Sequence, residues 1–166
     1  MAELEWFEGY SGETVDELLE LEGRYRIDSL VLAFEQAMDL KAMRVGADAL
    51  TREERTILAV EALEREVNNG GYSQFFVNSS NEYADLIVDA LERIGCPTAA
   101  EITRTAIVAV SGISRPAGEI KHGLWEVNEE CAVALAECDK RYFAGTENIA
   151  EQLFNFIKAN RPGIDL

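Results

Sequence analysis

The side chains best suited to metal binding or nucleophilic chemistry are a single histidine, His122, and three cysteines, Cys96, Cys131 and Cys138. Cys131 and Cys138 are seven residues apart and fall on one helical face, but that face is apolar. Structural zinc sites use closely spaced ligand pairs, which this spacing does not match. A cysteine nucleophile needs a histidine and an orienting group beside it, and nothing in the sequence favours that arrangement. We therefore expect no metal, no cofactor, and cysteines that pack in the core as small hydrophobic residues.

Carboxylates are abundant: 31 Asp and Glu residues face 15 Lys and Arg residues, which gives a net charge of −16 and a pI near 4.4. A catalytic carboxylate needs an apolar pocket to tune its pKa, whereas most of these fall on predicted solvent faces, so we expect a protein that is not an enzyme. The charge repels nucleic-acid phosphates and anionic membranes, so neither is an expected partner. It favours basic protein partners. The alternative is a structural module whose acidity serves solubility alone.

The most distinctive segment is 66–79, with the sequence EVNNGGYSQFFVNS. It contains four polar amide side chains, Asn68, Asn69, Gln74 and Asn78, two glycines, Gly70 and Gly71, and three aromatic residues, Tyr72, Phe75 and Phe76. In a structural interpretation the asparagines end a helix, the glycines turn the chain, and the aromatic residues anchor the next turn in the core. In a functional interpretation the polar side chains line a pocket of a small-ligand-binding or enzymatic domain. The glycine pair lacks the lysine of a phosphate-binding loop, so that kind of site is not predicted.

Helical periodicity dominates the rest of the chain and no segment is a convincing strand. The predicted helices cover 14–22, 27–45, 51–67, a short turn around 72–76, 82–94, 98–110, 124–142 and 149–159, with a loop at 111–122. We therefore predict an all-α fold: a single compact domain over 1–166 with seven or eight helices and loose tails at 1–12 and 161–166. The chain start lacks a signal-peptide pattern, and no apolar run approaches the roughly 18 residues that span a bilayer, which indicates a cytoplasmic protein.

Two details of the predicted helices bear on the core. Thr51 with Glu54, and Thr98 with Glu101, have the spacing of capping boxes that begin helices. The helix over 98–110 is apolar around most of its circumference, so we expect it to be the central buried helix.

The acidic residues concentrate in stripes. Residues 1–22 hold eight acids and no base, and further acids lie on the outer faces of the predicted helices 82–94 and 124–142. The candidate partner-binding residues are Glu13, Asp16, Glu17, Glu20, Asp85, Asp89, Glu92, Glu126, Glu129 and Glu130. Arg93, Lys140 and Arg141 interrupt a uniform negative field.

Segment 66–79 resembles the hallmark of a bacterial DNA-mimic protein family, otherwise classed as a domain of unknown function. In that family a helix ends in E-V-N-N-G-G, followed by an aromatic residue, Q-F/Y-F and Asn-Ser. The matching residues are Glu66, Val67, Asn68, Asn69, Gly70, Gly71, Tyr72, Gln74, Phe75, Phe76, Asn78 and Ser79. The stretch DALERIGC is similar to the family's A-L-x-x-I-G, and ECDKRYFAGTENIAEQLFNFIKAN is similar to its D-x-x-F/Y closing region.

The resemblance implies an all-α fold and a function without catalysis. The namesake of that family looks like a dimer whose surface carboxylates imitate the phosphates of duplex DNA and sequester a DNA-binding transcriptional regulator. For this chain the resemblance implies a basic, DNA-binding protein partner, a role in transcription regulation and a homodimer. It implies a structural role for segment 66–79, because the mimic carboxylates carry no recognisable motif.

Overall fold

The computed structural model describes residues 3–111 and 128–166. Over these residues it contains seven α-helices and no strand, so the predicted all-α class is confirmed. The helices are α1 (Val15–Leu19), α2 (Ile27–Val45), α3 (Arg52–Val77), α4 (Ile87–Arg93), α5 (Pro97–Ser111), α6 (Glu129–Phe143) and α7 (Ile149–Ala159). Short 3-10 turns cover Ala47–Ala49, Ser79–Tyr83 and Arg161–Gly163. The predicted loop at 111–122 lies outside the described residues from 112 onward, as do His122 and Glu126.

The chain divides into two compact units, and the division falls inside α3. The first unit comprises Met1–Glu61 and Asn148–Leu166, and the second unit comprises Ala62–Glu147.

In the first unit, α2 packs against α7. The apolar stripe predicted on α2 is buried, with Leu30, Phe34 and Met38 fully inside, because apolar residues recur every three to four positions on one helical face. Leu153 and Ile157 of α7 are buried as predicted. The predicted helix over 14–22 is shorter, since α1 ends at Leu19.

The first capping box is confirmed at the start of α3. The Glu54 backbone amide donates to the Thr51 hydroxyl at 3.1 Å, and the Thr51 amide donates to the Glu54 carboxylate at 3.0 Å. A reciprocal pair of this kind satisfies two amides that have no partner inside the helix.

Hydrogen bonds tie the described residues of both predicted tails to the rest of the first unit. In the N-terminal segment, the Phe7 amide donates to the Ser29 hydroxyl at 3.0 Å and the Tyr10 amide donates to Gln36 at 2.8 Å. In the C-terminal segment, Ile164 is buried and the Gly163 carbonyl accepts a hydrogen bond from the Thr51 hydroxyl at 2.7 Å. These backbone bonds fix both segments, and amino-acid composition gave no sign of them.

In the second unit, α5 packs against both α4 and α6. The predicted helix over 82–94 was too long, because a 3-10 turn precedes α4, which begins only at Ile87. The expectation that α5 is buried around most of its circumference was also wrong. Ile102, Ala106 and Val110 are buried, but Val108 is 65% exposed, so α5 has one inner face.

The start of α5 differs from the sequence prediction. The capping box at Thr98 and Glu101 does not form, because α5 already begins at Pro97, which supplies no amide that needs a partner. Helix α6 begins at Glu129, where the Asn128 side chain accepts from the Cys131 amide at 3.1 Å and caps the helix. Positions 124–127 of the predicted helix lie outside the described residues.

Candidate functional site

Among the acidic candidates of the first unit, Glu13 and Glu17 are held in place by hydrogen bonds. The Ser11 hydroxyl donates to Glu13 at 2.6 Å, and the Thr14 amide donates to Glu17 at 2.7 Å. Partial burial opposes ionisation of Glu13, but the Ser11 hydrogen bonds outweigh it and lower its pKa. The Thr14 amide and hydroxyl lower the pKa of Glu17. Both carboxylates are therefore negative at neutral pH and fixed in position.

Two other acids of the first unit are neutralised locally. Asp16 forms an ion pair with Arg161, and Glu22 pairs with Lys158 at 2.8 Å. Glu20 is exposed and takes part in no ion pair among the described residues. The predicted acidic stripe at 13–20 is thus reduced from four charges to three, Glu13, Glu17 and Glu20.

The acidic candidates of the second unit divide in the same way. Glu92 is engaged by Arg104 at 2.6 Å. Asp85, Glu129 and Glu130 are exposed, and none of them is in an ion pair within the described part of the chain, whereas Asp89 is half-buried. Glu126 lies outside the described residues.

Segment 66–79 forms a sharp break in α3. Gly71 has φ +79°, a backbone conformation that favours glycine, and Gly70 also leaves the helical region. The chain resumes its helix at once, and Tyr72, Phe75 and Phe76 are buried. The glycines therefore turn the chain here, and the aromatic residues anchor the resumed helix in the core.

A carboxylate from α6 completes this break. Asp139 accepts a hydrogen bond from the Tyr72 amide at 2.8 Å, which satisfies a donor at the start of the resumed helix. A Cβ atom at position 71 would lie 2.4 Å from the Asp139 carboxylate, so only glycine allows this approach. Burial raises the pKa of Asp139, against the opposing effect of the Tyr72 amide.

Tyr142, one helical turn after Asp139, contacts the other side of the break. Its hydroxyl donates to the carboxylate of Glu64, which precedes segment 66–79 on α3. Burial raises the pKa of Glu64 despite this hydrogen bond. The ring of Tyr142 meets the ring of Tyr72 edge-on at 5.8 Å, and the Tyr72 hydroxyl lies 2.7 Å from that of Thr103 on α5. The D-x-x-Y spacing of Asp139 and Tyr142 therefore joins the closing region to segment 66–79.

The amide side chains of segment 66–79 have separate contacts within or next to α3. Asn68 is exposed and donates to the Glu64 backbone carbonyl at 2.7 Å, and Asn69 is exposed. Asn78 donates to the Glu66 carboxylate at 2.7 Å, and Gln74 lies against the backbone of Gly70. The contacts made by Asn68 and Asn78 are structural.

The cysteines are all buried and unpaired, as predicted for core residues. Burial raises the pKa of Cys96 to about 12, so its thiol is neutral at physiological pH. In the described ranges no group of three or more histidine, cysteine or acidic side chains is placed to hold a metal ion.

Sequence reasoning missed three residues that shape the second unit: Glu64, Asp139 and Glu147. Glu147 accepts from the Thr98 and Ala99 amides at 2.8 and 2.9 Å and so caps α5 from a distant part of the chain. The only sequence signal was the D-x-x-Y spacing, because caps supplied from another element leave no local pattern.

The sequence was compared with models of known protein families. The family described as DMP19-like protein matches residues 48–160, about two-thirds of the chain. The chain belongs to the DMP19-like protein family. The matched region includes segment 66–79, Asp139 and Tyr142. The DMP19-like match therefore covers the contacts that Asp139 and Tyr142 make at the break in α3. No curated protein and no solved structure matches the chain. In the described part of the chain, no helix combines the length and the apolar character needed to cross a membrane.

Proposed function

We propose that this chain is a non-enzymatic acidic protein that occupies the DNA-binding surface of a basic protein by presenting carboxylates as DNA presents phosphates. The observation that carries the proposal is membership of the DMP19-like family, a DNA-mimic family, by a chain with a net charge of −16. Duplex DNA carries about one negative charge per 1.7 Å of its axis, so a mimic needs many carboxylates that local cations do not neutralise.

The carboxylates that best meet this requirement in the first unit are Glu13, Glu17 and Glu20. They are outside ion pairs among the described residues, and hydrogen bonds hold two of them in place. Fixed charges lose little conformational entropy when a partner binds. Asp85 and Glu130 are the corresponding candidates of the second unit.

The proposal is tested by capture of proteins from a bacterial lysate on the immobilised chain. We expect the captured proteins to be basic DNA-binding proteins that are released by duplex DNA and by rising salt, since charge-driven binding is screened. Captured proteins that stay bound in the presence of duplex DNA and at high salt contradict the proposal.

The placement of charge is tested with two triple variants. E13Q/E17Q/E20Q removes three carboxylates that are free of ion pairs among the described residues, and glutamine can accept the hydrogen bonds made to positions 13 and 17. The control, E22Q/D28N/E92Q, removes three that are paired with Lys158, Arg26 and Arg104. Both change the net charge equally. We expect roughly tenfold weaker capture for the first variant only; equal losses indicate that total charge, and not its placement, governs binding.

A further inference from the structure

The N-terminal segment 4–7 runs extended and is bonded along one edge. The Glu5 amide donates to the Arg24 carbonyl at 3.2 Å, and the Glu5 carbonyl accepts from the Arg26 amide at 2.8 Å. The Phe7 amide donates to the same side of the segment, to a hydroxyl in the first turn of α2. The backbone groups of positions 5 and 7 are thus taken up by the first unit.

The opposite edge of this segment has no partner. Amides and carbonyls alternate in direction along an extended chain, so those of Leu4 and Trp6 point away from the bonded side. Neither residue forms a backbone hydrogen bond with any other described residue. Leu4 is 42% exposed and Trp6 is 49% exposed, so the edge is open to solvent. An open edge with exposed apolar side chains is a template on which another extended chain pairs.

The side chains of Leu4 and Trp6 lie on one face of the segment, because side chains of an extended chain alternate with a period of two. The Arg26 guanidinium lies over the Trp6 ring, 5.4 Å from the ring centroid, and an ion pair with Asp28 holds it there. A cavity of about 280 Å³ opens beside Leu4, lined by residues at the starts of α2 and α7. A chain paired with this edge therefore places its apolar side chains against Leu4 and Trp6.

The rest of the segment is acidic. Glu3 and Glu5 alternate with the apolar side chains and Glu8 follows them; all three are exposed, and none forms an ion pair within the described part of the chain. The two basic residues nearby, Arg24 and Arg26, belong to the bonded side. Opposite charges on neighbouring strands stabilise their pairing and like charges oppose it. The edge therefore favours a chain whose apolar residues alternate with Lys or Arg.

We propose that the open edge of segment 4–7 binds an extended segment of a partner protein, in which Lys or Arg alternates with apolar residues, by β-strand addition. In this mode main-chain hydrogen bonds supply affinity, and the alternate side chains supply specificity. Segment 4–7 lies outside residues 48–160, the region that matches the DMP19-like family, and contains none of the carboxylates to which the mimicry is assigned. Strand addition at this edge is therefore independent of the proposed function.

The first test titrates the full chain with the capped heptapeptide KVKVKVK. In a Trp125→Phe background Trp6 is the only tryptophan, so its fluorescence reports binding at this edge. We expect saturable binding with a Kd of about 10 to 100 µM. The control is the same peptide N-methylated at every residue, which keeps all charges but loses its backbone donors, and we expect it to bind at least roughly tenfold more weakly.

Three outcomes of this titration overturn the proposal. The first is no binding of KVKVKVK, and the second is equal affinity for its N-methylated form, which indicates attraction between charges without strand pairing. The third is equal affinity for the acidic peptide EVEVEVE, which excludes the expected charge preference.

The second test changes the edge itself. Leu4→Pro removes an outward amide, whereas Leu4→Ala keeps the amide, and both variants lose the leucine side chain. We expect L4P to bind KVKVKVK at least roughly fivefold more weakly than L4A, because only L4P lacks the donor. Circular dichroism checks that both variants keep the helical fold, and equal affinities of the two folded variants overturn strand addition.

The N-methylated peptide is tested on a chain with an unchanged edge, so its result stands even if L4P lowers stability. No DNA-binding protein enters either titration. A failure of strand addition therefore leaves the lysate-capture result unaffected.

Discussion

Two carboxylates on α3, the buried Glu54 in the first unit and the half-buried Glu64 in the second, have opposite surroundings. Glu54 accepts hydrogen bonds from the Lys41 ammonium at 2.8 Å and from the amides of Thr51 and Asp165 at 3.0 and 2.9 Å. Burial opposes its ionisation, but these donors outweigh burial and lower its pKa. Glu64 has the Tyr142 hydroxyl and no cation among the described residues, and burial raises its pKa.

The difference shows that a buried carboxylate is stabilising only where its partners replace the lost water. Three donors, Lys41 and the amides of Thr51 and Asp165, surround the Glu54 carboxylate in the first unit, so its negative charge supports the fold. In the second unit the negative charge of Glu64 lowers the stability of the fold, because one neutral donor does not compensate for desolvation of the carboxylate.

The largest expected effect is the loss of Glu54. Glu54→Ala leaves the mostly buried Lys41 ammonium without its carboxylate, and breaking such a pair costs about 3 to 5 kcal/mol. Urea denaturation followed by circular dichroism measures the free energy of unfolding. A loss below about 1 kcal/mol shows that the pair is not a principal anchor of the first unit.

The next effect concerns the break in α3. Gly71→Ala introduces a Cβ atom against the Asp139 carboxylate at a position with φ +79°, so we expect a loss of about 3 kcal/mol. The control is Gly46→Ala, where φ is +92° but no atom lies within 4 Å, with an expected loss of about 1 kcal/mol. Equal losses of stability in the two variants indicate that backbone strain alone, and not contact with Asp139, makes alanine unfavourable at position 71.

Removal of the distant cap on α5 has an intermediate effect. Glu147→Ala deprives the Thr98 and Ala99 amides of their acceptor and costs about 1 to 2 kcal/mol, as for other helix caps. Hydrogen exchange at the first turn of α5 locates the effect, because those amides lose protection first. Unchanged exchange there means that solvent replaces the carboxylate without cost.

The smallest effect has the opposite sign. Glu64→Gln keeps an acceptor for the Tyr142 hydroxyl and removes a partly desolvated charge, so at pH 7 the variant gains up to about 1 kcal/mol in the free energy of unfolding. Since its folded pKa is raised, wild-type Glu64 costs stability as pH rises above its unfolded pKa, and the advantage of E64Q disappears at low pH. The contribution of Glu54, whose pKa is lowered, is instead lost as pH falls. Stability curves of both variants against pH check the two directions, and a destabilised E64Q contradicts the comparison.

The sequence was sufficient to predict the parts of the fold that depend on local pattern. The apolar stripe of α2, the cap at Thr51 and the glycine break at Gly70 and Gly71 all follow from spacing within one element. The sequence did not predict the caps at Asp139 and Glu147, because their acceptors come from residues far along the chain. It also placed Asp16 and Glu92 among free acids, since a partner such as Arg161 is 145 residues away from Asp16.

The two units also differ in sequence continuity, since the second is one stretch of the chain and the first is two. Because the second unit is a continuous stretch, its contacts can form as soon as residue 147 has left the ribosome. The first unit combines residues that precede and residues that follow that stretch. Helix α2 can therefore pack against α7 only after α7 has been synthesised. Long loops close more slowly than short ones, so we expect the second unit to fold first during synthesis. Until α7 has been synthesised, the apolar face of α2 lacks the helix that packs against it.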